Sequence, residues 1–204
     1  MPLVRLFFWI CLLLLAVLVG CAGHGTDAAL RVPPRLSAES LGGLKHPLTY
    51  SGDWVGGVPA EGSTEAAIDL ARRRGVGLFV DLTRPSGGSP SMEELVRAAG
   101  MNYVAVDPAD AELALGDGST SGAKLGDSHR GPALAAVRRL LTAPGRPAAL
   151  LVDESGTLAP VLYGVYLVHD VGLRGSDVMD ALRASGISGE AVERLIMGDA
   201  VSEP

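Results

Sequence analysis

The run Pro147-Ala148-Ala149-Leu150-Leu151-Val152 leads into Asp153-Glu154-Ser155-Gly156-Thr157-Leu158-Ala159, and then into Pro160-Val161-Leu162-Tyr163-Gly164-Val165-Tyr166-Leu167-Val168. The first six residues are a short apolar run with no polar alternation, opened by proline and ended by an aspartate. That pattern predicts a strand buried on both faces. A tight polar turn follows, Asp153 to Thr157. Pro160 to Val168 is apolar on every side, which predicts a helix packed all round near the centre of the fold. Strand, turn and buried helix in that order form the local unit of an α/β layered structure. Ligands in such structures bind beyond the carboxyl ends of strands, so the turn after Val152 is where a site is expected.

Outward from this unit the same alternation continues. Upstream, Trp54 to Val58 reads as a short entry strand, and Thr64 opens an amphipathic helix with Ala67, Ile68 and Ala71 on one side. Arg72 to Arg74 and then Gly75 are the expected stop for that helix. Val76 to Val80, ended by Asp81, predicts another buried strand. Ser91-Met92-Glu93-Glu94 matches a capping box for a helix that closes at Gly100. Asn102 to Val106 predicts a strand, and Asp107 to Ser128 is a long Asp/Gly/Ser segment without periodicity. Pro132 to Leu141 is helical, with Leu134, Val137, Leu140 and Leu141 on the apolar side. Downstream, two short capped helices start near Ser176 and Ser188. Strands alternating with helices predict an α/β fold with a central, mostly parallel sheet flanked by helices.

Composition narrows the function classes. The chain has 204 residues, 48% of them hydrophobic and 4% aromatic, enough for one ordinary core. Seventeen cations against 23 anions, net charge −6, leave no basic patch for nucleic acid. The two cysteines, Cys11 and Cys21, both precede the body of the chain, which excludes a disulfide scaffold, a cysteine-ligated metal and a cysteine nucleophile there. Residues 1–20 carry Arg5 and then an apolar run from Leu6 to Val19, too short for a comfortable span of about 20 residues. The run ends Leu18-Val19-Gly20-Cys21, which resembles the bacterial lipoprotein signal. That resemblance implies a signal peptide over 1–20 and acylation of Cys21, palmitate included. At about 0.8 kcal/mol per buried methylene, several acyl chains hold a protein on a membrane. Lipid anchoring in the cell envelope is then expected, on the periplasmic side of the outer membrane if the host has two membranes. Residues 21–48, with Pro33-Pro34 and Gly42-Gly43, read as a tether, and 49–204 as the domain. His24 and His46 read as solvated.

The segment Gly145 to Ile187 resembles the C-terminal half of dual-specificity and tyrosine phosphatases: a proline-led strand, a signature loop, a buried Tyr-rich helix, then a helix ending Ala181-Leu182-Arg183-Ala184-Ser185-Gly186-Ile187. The opening Ser51-Gly52-Asp53-Trp54-Val55-Gly56-Gly57-Val58-Pro59 and the later Gly75-Val76-Gly77-Leu78-Phe79-Val80-Asp81-Leu82-Thr83 agree with that family's layout. The family's loop is H-C-x-x-G-x-x-R, whereas this chain has Val152 to Ala159, in which Gly156 alone is retained. Asp153 stands at the nucleophile position and Ala159 at the arginine position. The resemblance therefore implies a phosphatase-like domain whose signature loop (Asp153, Glu154, Ser155, Gly156, Thr157, Leu158, Ala159) is degenerate and carries no catalytic residue of that family's chemistry. Asp153 then either occupies the anion site and receives the loop amides, or merely caps the buried helix.

A rival resemblance is to the haloacid-dehalogenase phosphatases, whose first motif D-x-D-G-T-L is similar to Asp153-Glu154-Ser155-Gly156-Thr157-Leu158. It implies Asp153 as a nucleophile with magnesium. Against it, Ser155 replaces the second carboxylate and no lysine follows the motif, Lys45 and Lys124 both preceding it. A serine-hydrolase elbow at Ser155 requires glycine where Asp153 stands. His129 begins a helix and could serve a site but reads as a core or surface residue, His169 ends the buried helix where a cation suits the dipole, and Asp107, Asp110, Asp117 and Asp127 read as solvated loop carboxylates. The expectation is a membrane-tethered lipoprotein with a pseudophosphatase domain. It needs no cofactor or metal and acts by binding or scaffolding, with membrane lipid and an envelope protein as partners and no nucleic acid. The alternative is an active hydrolase, magnesium-dependent through Asp153.

Overall fold

Strands alternate with helices as the hydrophobic pattern predicts. The computed structural model describes residues 35–38, 42–59, 62–83, 92–108 and 131–198. Its elements are β1 (Lys45–Tyr50), β2 (Asp53–Gly57), α1 (Thr64–Arg73), β3 (Val76–Asp81), α2 (Met92–Ala98), β4 (Asn102–Ala105), α3 (Pro132–Thr142), β5 (Ala148–Asp153), α4 (Leu158–His169), α5 (Gly175–Ala184) and α6 (Glu190–Met197). The sheet order is β1-β2-β5-β3-β4, with β1 antiparallel to β2 and every other pair parallel. The apolar run before Asp153 is thus the central strand. Asp153 ends it at the carboxyl edge of the sheet.

Each face of the sheet buries its own core. Alternation along β5 sends Ala149 and Leu151 to one face and Leu150 and Val152 to the other. The first face is covered by α3, α4, α5 and α6 through Val137, Leu141, Val161, Leu167, Leu182 and Ile196. The second is covered by α1 and α2 through Ile68, Ala71 and Val96, against Trp54 and Phe79. Strict alternation would put Val76 and Phe79 on opposite faces, yet both lie in the second core. The register slips between Val76 and Leu78, a bulge that takes up Gly77. A Cβ there would lie 2.8 Å from the Pro147 side chain, so glycine lets the two strands start side by side.

α4 is the centre of the first layer. All residues from Leu158 to Leu167 are buried, and the helix touches α3, α5, α6, β1, β2 and β5. It begins two residues earlier than the apolar run suggests. Pro160 falls inside the first turn, where a missing N–H costs no helical bond.

Several expectations are revised. β1 starts at Lys45, so the last residues of the stretch read as a tether belong to the sheet, and Ser37 bridges to Thr49 beside it. The bulged Lys45-His46-Pro47 segment shows no hydrophobic period, which is why it reads as linker. His46 is not a solvated side chain: its half-buried ring bonds through Nδ1 to the Ser185 carbonyl at 2.7 Å, where α5 ends. Neither α5 nor α6 is capped by the expected serine; Arg174 and Gly189 occupy the cap positions. The signal sequence, Cys11, Cys21, His24, Ser91, Asp110, Asp117, Lys124, Asp127 and His129 lie outside the described residues. Among the described residues, no helix is long and apolar enough to cross a membrane.

Candidate functional site

β5 delivers Asp153 to the sheet edge, and the next four residues reverse the chain into α4. Gly156 makes that reversal with φ +83°, a region open to glycine. The first amides of any helix have no intrahelical acceptor. Here the Asp153 carboxylate supplies one. Its Oδ2 accepts from the amides of Ser155 (3.1 Å), Gly156 (2.9 Å), Thr157 (3.3 Å) and Leu158 (3.4 Å) and from the Ser155 hydroxyl (2.6 Å). Oδ1 accepts from the Ala159 amide at 3.1 Å. The side chain is buried, 3% exposed, and every described donor to it is neutral. A ring of amides at a helix N-terminus is the arrangement that suits an oxyanion. In this chain the ring is filled by the chain's own carboxylate.

The surroundings fix the loop. Gly57 ends β2 opposite Asp153, and a Cβ on it would stand 2.6 Å from the Gly156 backbone. The Val58 amide donates to the Asp153 carbonyl at 2.9 Å. Ala159 is fully buried in the larger core, so the position that resembles the family's arginine faces packed side chains. Glu154 and Ser155 are exposed. The Ser155 hydroxyl donates to Asp153 and accepts from the Thr157 amide at 3.0 Å, which makes it part of the turn.

A second buried carboxylate, which sequence reasoning missed, lies at the opposite end of the sheet. Asp53 opens β2 beside the start of β5. Arg146 grips it with two bonds, Nη1 to Oδ1 at 2.7 Å and Nη2 to Oδ2 at 2.6 Å. The Ala149 amide donates to Oδ1 at 2.8 Å, and the Tyr163 hydroxyl reaches Oδ2 and the Tyr50 carbonyl, both at 3.1 Å. Arg146 Nε also bonds the Leu141 carbonyl at 2.7 Å. The hydrogen bond to Asp53 holds the guanidinium charge more firmly than usual. Burial, reinforced by the Asp53 charge, pushes the Tyr163 phenol far above its ordinary value. The one signal available was positional: Asp53 and Arg146 each precede a buried strand, and parallel neighbours enter the sheet at the same end.

A third carboxylate, Asp81, ends β3. Its Oδ1 accepts from the Thr83 amide (2.7 Å) and hydroxyl (2.6 Å), and Oδ2 accepts from the Tyr103 hydroxyl at 2.7 Å. Burial and that bond raise the Tyr103 phenol well above its usual value. Asp107 is exposed, and His169 lies in the last turn of α4. No cluster of three potential metal ligands occurs among the described residues.

No family model matches the sequence, and no curated protein matches it. Solved structures do. The crystal structure of TpbA from P. aeruginosa superposes with a TM-score of 0.52 at 15% identity, covering 84% of this chain and 94% of that one. A protein of Shewanella putrefaciens CN-32, described as a candidate phosphatase (DUF442), gives 0.51 at 16% identity, over 76% of this chain and 91% of that one. At such identities the likeness shows the fold alone: a mixed α/β domain with a central sheet flanked by helices.

Proposed function

We propose that this chain is a lipid-anchored envelope protein whose phosphatase-like domain binds a partner and does not turn over phosphoesters. The observation that carries the reading is the Asp153 carboxylate inside the amide ring, with buried Ala159 where a clamping arginine is expected. An incoming phosphate dianion meets a like charge there. At about 4 Å and an effective dielectric near 20, each unit pair costs about 4 kcal/mol. A helix N-terminus returns at most about 2 kcal/mol. Phosphate and Asp153 thus compete for one set of donors, and the tethered group has the advantage of being already in place. The magnesium-dependent alternative requires Asp153 to present its carboxylate outward beside a second carboxylate, whereas the loop amides draw on both of its oxygens and Ser155 stands where that second carboxylate is needed. Anchoring through acylated Cys21 belongs to the same proposal and is supported by Leu18-Val19-Gly20-Cys21.

The test has two arms. In the first, the full-length protein in detergent is assayed for metal-independent, vanadate-sensitive phosphatase activity and titrated with tungstate. Neither turnover nor binding is expected. Asp153→Ala should bind tungstate, because the amides are then free. Vanadate-sensitive turnover by the wild type, or no oxyanion binding by Asp153→Ala, overturns the closed-cradle reading. Magnesium-dependent turnover lost in Asp153→Asn favours the hydrolase. In the second arm, Cys21→Ser should alter the mass and membrane fractionation of the protein; unchanged behaviour removes the anchor.

A further inference from the structure

We propose that the Asp53–Arg146–Tyr163 cluster is the positioning element of the Asp153 cradle, setting how far α4 stands along the central strand. The inference rests on the closed-cradle reading of the loop. α4 is buried from Leu158 to Leu167, among aliphatic side chains for the most part. Burial of that kind is non-directional and does not by itself specify where the helix stands along the strand to within a few tenths of an ångström. Hydrogen bonds are directional and steep with distance. At the cradle, the helical amides of Leu158 and Ala159 meet Asp153 at 3.4 and 3.1 Å, the first close to the limit of a useful bond. A shift of a few tenths of an ångström away from the strand breaks them.

What opposes that shift lies at the other end. The Tyr163 hydroxyl, one turn along α4, shares its single proton between Asp53 Oδ2 and the Tyr50 carbonyl, both at 3.1 Å. Asp53 is fastened to β5 itself through the Ala149 amide and to the strand's lead-in through Arg146. Ala149 and Asp153 are four residues apart on one strand, about 13 Å at 3.3 Å per residue. The same strand and the same helix are therefore pinned to each other at two separated points. Removing the far pin leaves the helix able to ride, and the first bonds lost are the long ones at the cradle. Tyr163 touches neither Asp153 nor any loop amide in this arrangement, so its effect on the cradle is indirect.

The test is hydrogen–deuterium exchange on the full-length protein, comparing the peptide covering residues 154–160 with a β3 peptide. Tyr163→Phe keeps the ring and removes the hydroxyl. It should raise exchange in 154–160 by about tenfold more than in β3, the signature of local and not global opening. Arg146→Gln should do the same. Arg138→Ala serves as a control, since it cuts a bidentate contact to Asp170 at the far end of the same helix. It should leave the ratio unchanged. Equal changes in both peptides, or a rise in 154–160 as large in Arg138→Ala, overturn the proposal. If Arg146→Gln is too unstable to read, Tyr163→Phe decides. No oxyanion is present in this measurement, so failure of Asp153→Ala to bind tungstate would remove the closed-cradle reading without touching the exchange result.

Discussion

At the carboxyl end of β5, Asp153 is held by five amides and one hydroxyl, all neutral and all within six residues of it. At the amino end, Asp53 is held by a guanidinium 93 residues away, together with one amide and one phenol. Both carboxylates are buried to nearly the same degree. Burial of a charge requires compensation, and the two ends use different kinds. Dipoles in a ring can be shared with another anion of similar shape. A bidentate ion pair cannot, because removing one partner leaves the other's charge stranded. Once its carboxylate is removed, the ring of dipoles could take a replacement anion, whereas the ion pair could not.

The largest effect should come from breaking the ion pair. Asp53→Ala strands Arg146, which is 18% exposed on its side chain, and should cost about 3–5 kcal/mol in urea unfolding. Added phosphate should not restore it. Asp153→Ala frees amides that water or an anion can reach, so a loss of about 2 kcal/mol is expected. Millimolar phosphate or sulfate should return part of it, following the ligand-linkage relation. Rescue of both variants, or of neither, erases the distinction. Gly57→Ala sharpens it from the side: the new methyl group meets the Gly156 backbone and should cost about 1–3 kcal/mol through loop displacement. Tungstate binding by the Asp153→Ala background should weaken with it.

The smallest effect concerns Tyr163→Phe, about 1 kcal/mol at neutral pH, with a pH signature. The Tyr163 phenol keeps its proton in the folded protein far above its usual value. In the unfolded chain it ionises near pH 10. Above that pH the unfolded state holds fewer protons than the folded state, so stability falls as pH rises. Its contribution is complete below about pH 10. Urea midpoints from pH 9 to 11 should therefore fall less steeply in Tyr163→Phe, with a residual slope from Tyr103, whose phenol is shifted the same way.

The difference between the two ends also governs what could be read from the sequence. Every donor to the Asp153 carboxylate is local, so an apolar run, a turn and an all-apolar helix were enough to locate the loop and its central strand. The Asp53–Arg146 pair depends on β2 and β5 being neighbours, and nothing in either segment specifies strand order. His46 escaped for a related reason: its partner, the Ser185 carbonyl, belongs to an element 139 residues away. The bulge at Gly77 hid in a run that reads as regular strand. Local chemistry was visible; tertiary partnership was not.

The spacing of these contacts along the chain also orders events in time. Joining Asp153 to the Ala159 amide closes a loop of six residues, whereas joining Asp53 to Arg146 closes one of 93. Loop-closure entropy makes the second about 2 kcal/mol more expensive before any contact rewards it. As α4 nucleates, its leading turn therefore acquires an acceptor from residues just upstream, with no need of the distant strand β2. The far pin closes only when β2 docks, late in assembly, as contact order would have it. Of the two buried carboxylates, Asp153 is thus the one whose contacts cost the least chain entropy to close, a local acceptor in place before any long-range pairing is required.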